Sequence, residues 1–117
     1  MPEDYVKSLS ELIEREYGVK TSYRINPLND ECDIAVTPLL ASNPKRISFL
    51  ILNLSANNMF VTPDSRPSAA RGILLAANGG SLTLNYRDDF ETATLSWSGS
   101  AAANNSDVFI IETQVEG

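Results

Sequence analysis

The sequence contains no histidine and a single cysteine, Cys32, among its 117 residues. Histidine is the commonest general base and transition-metal ligand, so its absence disfavours the usual hydrolase and zinc chemistries. One cysteine excludes a disulfide within the chain and a thiolate zinc site built from this chain alone. The charges of Glu31 and Asp33 would raise the thiol pKa, so we interpret Cys32 as a half-buried structural residue.

Long apolar runs and clustered basic residues are also lacking. The apolar stretches, such as residues 49–52, are far shorter than the ~20 residues that a membrane helix needs. The chain does not start with a basic segment followed by an apolar one, so we expect no secretory signal and no membrane contact. Nine scattered Lys and Arg residues face 15 Asp and Glu residues, for a formal net charge of −6, which disfavours nucleic acid as a partner.

Two short carboxylate runs are the only candidate acid–base groups. Neighbouring carboxylates on a turn fan outward into water, whereas glycoside hydrolysis needs two carboxylates held across a cleft. Neither run has calcium-loop spacing, although a calcium site stays open as an alternative. We therefore predict no catalytic residue, no metal ligand and no cofactor. The runs are Asp30, Glu31 and Asp33, and Asp88, Asp89 and Glu91.

Three aromatic residues leave one binding alternative open. Trp97, Tyr86 and Phe90 could form a platform on which a sugar or a peptide stacks. Trp97 alternates in step with Ala93 and Leu95, however, which favours a place in the core.

Residues 3–17 have the periodicity of an amphipathic helix. Apolar residues recur at steps of three and four, and Gly18 is placed to end the helix. This stripe either covers an open face of the domain or docks on a partner or a second copy. It comprises Tyr5, Val6, Leu9, Leu12, Ile13 and Tyr17.

The remaining chain is predicted to be mainly β. Short apolar runs separated by Asn, Gly, Ser and Pro are typical of an antiparallel β-sandwich or jelly-roll-like domain, here with one N-terminal α-helix. We divide the chain into an N-terminal helix and arm at 1–44 and a β-sandwich at 45–117, in a single compact domain overall. The predicted strands lie near residues 19–25, 33–39, 46–54, 59–62, 72–76, 81–86, 93–98 and 108–113, with turns at 78–80 and 87–89 and a flexible link at 98–106.

The predicted strand at 46–54 is apolar on both faces. Phe49 and Ile51 alternate with Leu50 and Leu52, so both faces need a cover. In a two-layer sandwich, only a helix, a loop or another subunit can cover the outer side.

Residues 45–113 resemble a module of small virion proteins from tailed bacteriophages. In this chain the basic residue Arg46 opens an apolar strand that ends at Asn53, and a second strand ends at Pro63. A serine-containing loop leads to residues 72–75 and the turn Asn78-Gly79-Gly80, followed by a charged turn at 87–89, Trp97 and a closing strand at 106–112. The resemblance implies a capsid decoration (cement) protein or an accessory head or tail component, and it supplies no catalytic residues.

On that resemblance we expect a structural virion protein on the capsid surface, made in the host cytoplasm. The expected partners are the major capsid protein and further copies of the chain, with a homotrimer favoured. A head–tail or tail accessory protein and a carbohydrate- or host-surface-binding β-sandwich module stay open as alternatives. The candidate interface residues are Val6, Leu9 and Ile13 in the predicted helix, and Arg66 and Arg71 near the 63–71 loop.

Overall fold

The protein is mainly β, as the sequence predicts. A computed structural model describes residues 18, 20–63, 66–67 and 71–116, so the predicted helix at 3–17, with Val6, Leu9 and Ile13, lies outside the described residues. The strands are β1 (Thr21–Ile25), β2 (Glu31–Cys32), β3 (Thr37–Leu40), β4 (Arg46–Asn53), β5 (Met59–Thr62), β6 (Ile73–Leu75), β7 (Ser81–Asn85), β8 (Trp97–Ala101) and β9 (Ser106–Val115).

A short helix, α1 (Tyr86–Asp89), follows β7 and continues into a 3₁₀ helix at Phe90–Thr94. The sequence predicts a turn at 87–89, and this prediction is wrong, because residues 86–89 form one helical turn; the predicted helix at 3–17 stays a prediction. Asn85 is the reason for the helical turn, because its side-chain oxygen accepts a hydrogen bond from the backbone N–H of Asp88 and so caps the first turn.

The strands form two antiparallel sheets. The large sheet runs β1-β9-β4-β7, with β2 also paired to β9, and the small sheet runs β3-β8-β5-β6. The pairings of β1 with β9 and of β3 with β8 join strands on both sides of residue 44. Pro38 lies in β3 at the edge of the small sheet, as expected of a residue that has no N–H to donate to a neighbouring strand.

Buried residues from both sheets form one core. Phe49 from the large sheet contacts Trp97 from the small sheet, with ring centroids 5.3 Å apart. The core position predicted for Trp97 is confirmed, since only 2% of this residue is exposed. The alternative platform of three aromatic residues is therefore wrong, because Trp97 cannot contact a ligand at the surface.

The strand predicted at 93–98 and the flexible link predicted at 98–106 are wrong. Ala93 belongs to the 3₁₀ helix, and the strand β8 begins only at Trp97. Ser, Gly and Ala dominate β8 and carry little strand propensity, so the pattern concealed it. Small residues are needed there for packing: a Cβ added to Gly99 would lie 2.9 Å from Leu39 Cδ1.

Arg46 is buried at the start of β4, where its guanidinium joins the two sheets. Nε donates to Oε1 of Glu112 in β9 at 2.7 Å. Nη1 donates to the carbonyls of Ala93 and Leu95 at 3.2 and 2.9 Å, and Nη2 donates to the carbonyl of Ala41 at 2.5 Å. Since Ala41 follows β3, Leu95 precedes β8, and the two strands are antiparallel, the side chain ties the large sheet to one end of that strand pair.

Asn53 has the corresponding role at the other end of β4. Its buried Nδ2 donates to the carbonyls of Asn57, Leu75 and Ala76 at 2.7, 2.9 and 3.2 Å. Its Oδ1 accepts from both the backbone N–H and the hydroxyl of Ser55. These bonds fix the turn that leaves β4 and the loop that leaves β6.

The turn predicted at 78–80 is confirmed and joins β6 to β7. Asn78 and Gly79 have φ angles of 61° and 120°, the conformations that these two residue types adopt at low cost. Gly80 is required for space, because an added Cβ would lie 2.2 Å from the backbone nitrogen of Ala76.

Replacement of Arg46 tests its role in joining the sheets. Arg46→Met leaves the Glu112 carboxylate buried without its guanidinium and removes the donor to three carbonyls. We expect the free energy of unfolding to fall by about 3–5 kcal/mol in urea titrations.

Arg24→Met is the matched control. Arg24 Nη2 lies 2.5 Å from the other oxygen of Glu112, without the alignment of a hydrogen bond, and its side chain is 53% exposed. Because half of the Arg24 side chain lies in water and Glu112 keeps its bond to Arg46, we expect a smaller loss than in Arg46→Met. Equal losses in the two variants would contradict the role assigned to Arg46.

Candidate functional site

Large apolar side chains lie on the outer face of the large sheet. Along β4, buried Phe49 and Ile51 alternate with partly exposed Leu50 and Leu52. The register of β4 with β9 places Leu50 opposite Ile111, and Leu52 opposite Phe109, which are also partly exposed. These side chains share one face because residues that oppose each other across antiparallel strands point to the same side.

The apolar surface continues onto the edge strand β1. Ile25 pairs with Ile111 and Tyr23 pairs with Thr113, and their exposed fractions are 51% and 68%. We call this surface the outer apolar face, and its members are Tyr23, Ile25, Leu50, Leu52, Phe109 and Ile111. On the opposite side, β7 borders it with Ser81, Thr83 and Asn85.

A shallow cavity of about 250 Å³ lies on this face between β4, β7 and β9. Leu50 and Ile111 line its apolar side, and Thr83, Asn85 and Thr113 line its polar side. None of its lining residues is ionisable, so the cavity can hold a neutral or apolar group but offers no acid–base chemistry.

A second cavity of about 260 Å³ lies beside the Arg46–Glu112 pair, with Arg24, Asn43 and Gln114 in its wall. Its charged groups are engaged with one another: Glu112 contacts both guanidinium groups. The two amide side chains in the wall also bind each other, since Asn43 Nδ2 donates to Gln114 Oε1 at 2.7 Å. These polar side chains of the cavity wall therefore bind one another and belong to the contacts around the buried Arg46–Glu112 pair.

Carboxylates of both runs accept hydrogen bonds from groups in nearby turns. Asp33 Oδ1 accepts from the N–H of Asn105 at 2.9 Å, and Asp89 Oδ2 accepts from the N–H of Asn85 at 3.0 Å. Asp88 Oδ2 accepts from Asn85 Nδ2 at 3.0 Å. Within the described ranges, no group of three or more Cys, Asp or Glu side chains could hold a metal ion.

The segment 86–94, which we call the Phe90 tip, presents an aromatic side chain to solvent. Phe90 is 76% exposed and has a φ of 54° and a ψ of −133°. A side chain with a Cβ rarely adopts this conformation, whose cost is on the order of 1–3 kcal/mol. An exposed ring on a strained backbone makes this tip the second candidate site.

The candidate interface residues from the sequence are only partly described. Arg66 and Arg71 are exposed, whereas Val6, Leu9 and Ile13 fall outside the described ranges. The sequence analysis did not assign a role to Glu112. A signal existed, because Glu112 continues the buried alternation of Val108 and Ile110, and an acidic residue at such a position needs a buried cation.

Comparison with protein-family models, curated proteins and solved structures finds no match for this chain. Among the described residues, no helix has the length and apolar character to cross a membrane.

Cys32 is fully buried, more so than the half-buried position that the sequence suggests. Burial raises the pKa of its thiol to about 11 and the nearby charge of Asp33 adds to this effect, while the Thr37 hydroxyl opposes it. The predicted upward direction is confirmed, with burial as the larger cause. A neutral, enclosed thiol is a poor nucleophile.

This thiol makes stability depend on alkaline pH. The unfolded chain ionises Cys32 near pH 9, whereas the folded chain holds the proton until about pH 11. The contribution is therefore fully present below pH 9, and the free energy of unfolding should fall by about 2–3 kcal/mol between these two values.

Cys32→Ala provides the comparison, since Lys and Tyr residues titrate in both proteins. Urea titrations across this pH range should show a flatter decline for the variant. Identical declines in the two proteins would contradict the raised pKa.

Proposed function

We propose that this protein is a structural virion protein of a tailed bacteriophage, a cement protein that binds the outer capsid surface and stabilises neighbouring capsomers. The observation that carries the proposal is the outer apolar face, whose six large side chains lie on a sheet surface without full cover. Surfaces of this kind are typical of assembly interfaces. The resemblance of residues 45–113 to small phage virion proteins is the reason to propose a capsid as that assembly.

The two antiparallel sheets around one core support a β-sandwich or jelly-roll-like domain. Arg46 and Asn53, which bound the first strand of the resembling module, are the two polar anchors of the fold.

Cement proteins act by mass action. Contacts that exist only on the assembled shell stabilise that shell by linkage, because binding shifts the equilibrium from separated subunits towards the shell. A repeating lattice with local symmetry favours a closed cyclic oligomer, which is why we propose a homotrimer. No cofactor takes part in this mechanism.

The occupant proposed for the outer apolar face is the segment 3–17 of a neighbouring copy. If this segment is helical, as its sequence predicts, it would be about 22 Å long. The six members of the outer apolar face lie on three neighbouring strands, β1, β9 and β4, so a helix laid across these strands contacts all of them. The predicted stripe with Val6, Leu9 and Ile13 would then cover the leucines of β4, and burial contributes about 1.5–3 kcal/mol for each.

Charge substitutions on the outer apolar face test this proposal. Leu50→Glu places a carboxylate in the middle of the apolar side chains, whereas Thr83→Glu places one on the polar border of the same face. We expect the wild-type protein and Thr83→Glu to sediment as trimers and to co-sediment with purified capsids. Leu50→Glu should remain folded by circular dichroism, sediment as a monomer and lose at least about tenfold in capsid affinity.

Leu9→Glu separates the two ways in which segment 3–17 could cover this face. A folded monomer that no longer binds capsids indicates docking on a neighbouring copy, whereas loss of folding indicates docking within one chain. A wild-type protein that sediments as a monomer and does not bind capsids would contradict the proposed function.

A further inference from the structure

Phe90 has a backbone conformation that its residue type does not favour. Four residues other than glycine have a positive φ in the described part of the chain, and three are asparagines, which tolerate it. Phe90 is the exception, at a φ of 54°. The three asparagines are Asn26, Asn78 and Asn105.

Phe90 lies directly after the one-turn helix α1, whose ends are fixed by hydrogen bonds. Asn85 and Asp88 exchange two hydrogen bonds of 2.9 and 3.0 Å, Asp89 Oδ2 accepts from the N–H of Asn85, and the Phe90 N–H returns to the carbonyl of Tyr86. The helix thus closes after one turn, and Phe90 occupies the position after its end. Glycine is the preferred residue there because it has no Cβ.

The ring of Phe90 is mostly in water, so little burial offsets the cost of its backbone conformation. At 76% exposure it is the most exposed large apolar side chain among the described residues. The fold would be better served by glycine at this position, so the presence of phenylalanine points to a contact outside the chain.

The surroundings of the ring indicate the chemistry of that contact. Tyr86 is 41% exposed, and the acidic residues Asp88 and Asp89 precede the ring while Glu91 follows it. One basic residue, Arg87, lies in the same segment, with its guanidinium 5.8 Å from the centroid of the Tyr86 ring. The tip therefore presents an apolar centre with a net acidic rim, which is complementary to an apolar pocket with a basic rim.

We propose that Phe90 is a binding anchor, whose ring enters an apolar pocket bordered by Lys or Arg side chains on a partner protein. This inference rests on the proposed function, under which the partner is the major capsid protein. An anionic membrane would repel the acidic rim, and a neutral sugar would not use it. A rigid aromatic side chain held out on a capped turn is suited to such a contact, because little conformational freedom is lost on binding.

The test compares Phe90→Gly with the wild-type protein in two measurements. In thermal denaturation the variant should have a higher Tm, because glycine relieves the positive φ and no packed ring is lost. In co-sedimentation with purified capsids the same variant should bind at least about tenfold more weakly. Phe90→Tyr keeps the ring and should bind within about threefold of the wild type.

Leu74→Ala is the matched control for removal of an exposed apolar side chain. Leu74 is 52% exposed on β6, away from the tip in the small sheet, so this variant should bind capsids like the wild type. Equal loss of binding in Leu74→Ala and Phe90→Gly would overturn the anchor, because any exposed apolar side chain would then suffice.

The outcomes separate the anchor from the proposed function. If the wild type binds capsids and Phe90→Gly binds equally well, the anchor is wrong and the proposed function stands. If the wild type does not bind capsids, the proposed function fails, and the anchor fails with it. A Tm of Phe90→Gly at or below the wild-type value also overturns the anchor, since the ring would then serve the fold.

Discussion

The buried Arg46–Glu112 ion pair is the constraint on which the two-sheet arrangement depends. Two charges are removed from water at one end of the core, and each side chain is only about 1% exposed. Such burial is tolerated only when the charges are paired and the remaining donors are satisfied, and the carbonyls of Ala41, Ala93 and Leu95 complete the set. Segments far apart in sequence must therefore meet at this point before the pair is stable.

The register of β4 follows from this pair. Arg46 and Asn53 both direct their side chains into buried polar sites, so neither end of the strand can shift by one residue without stranding a polar group. An irregularity of the strand between Arg46 and Ser48 shifts the alternation by one residue, so that Phe49 and Ile51 share the core side with Arg46 and Asn53 while Leu50 and Leu52 face outward. The outer apolar face is thus a consequence of the polar anchors Arg46 and Asn53. The proposed assembly covers this same face.

The sequence predicts those parts of the fold that carry a local signal. Alternating apolar residues locate most of β4 and β9, and the Asn78-Gly79 turn is evident because these residues favour a positive φ. β8 carries no such signal, because its small residues interrupt any apolar alternation. Gly99 is one of them, and a Cβ there would lie too close to Leu39. β2 is too short to show a period at all.

The candidate sites divide in the same way. The apolar residues on both faces of β4 are visible in the sequence, so the sequence predicts a surface that needs a cover. The partnership of Arg46 with Glu112 spans 66 residues and depends on the pairing of β4 with β9. The positive φ of Phe90 occurs where the short helix ends, and propensity assigns no such conformation to phenylalanine.

The central claim is that the protein is a repeated part of the capsid surface. Quantitative mass spectrometry of purified virions tests it most directly, through the molar ratio of this chain to the major capsid protein. The account predicts a fixed ratio set by the number of capsomers, so that copies of the chain scale with the shell. A ratio matching a single vertex or the tail, or absence of the chain from the virion, would contradict it.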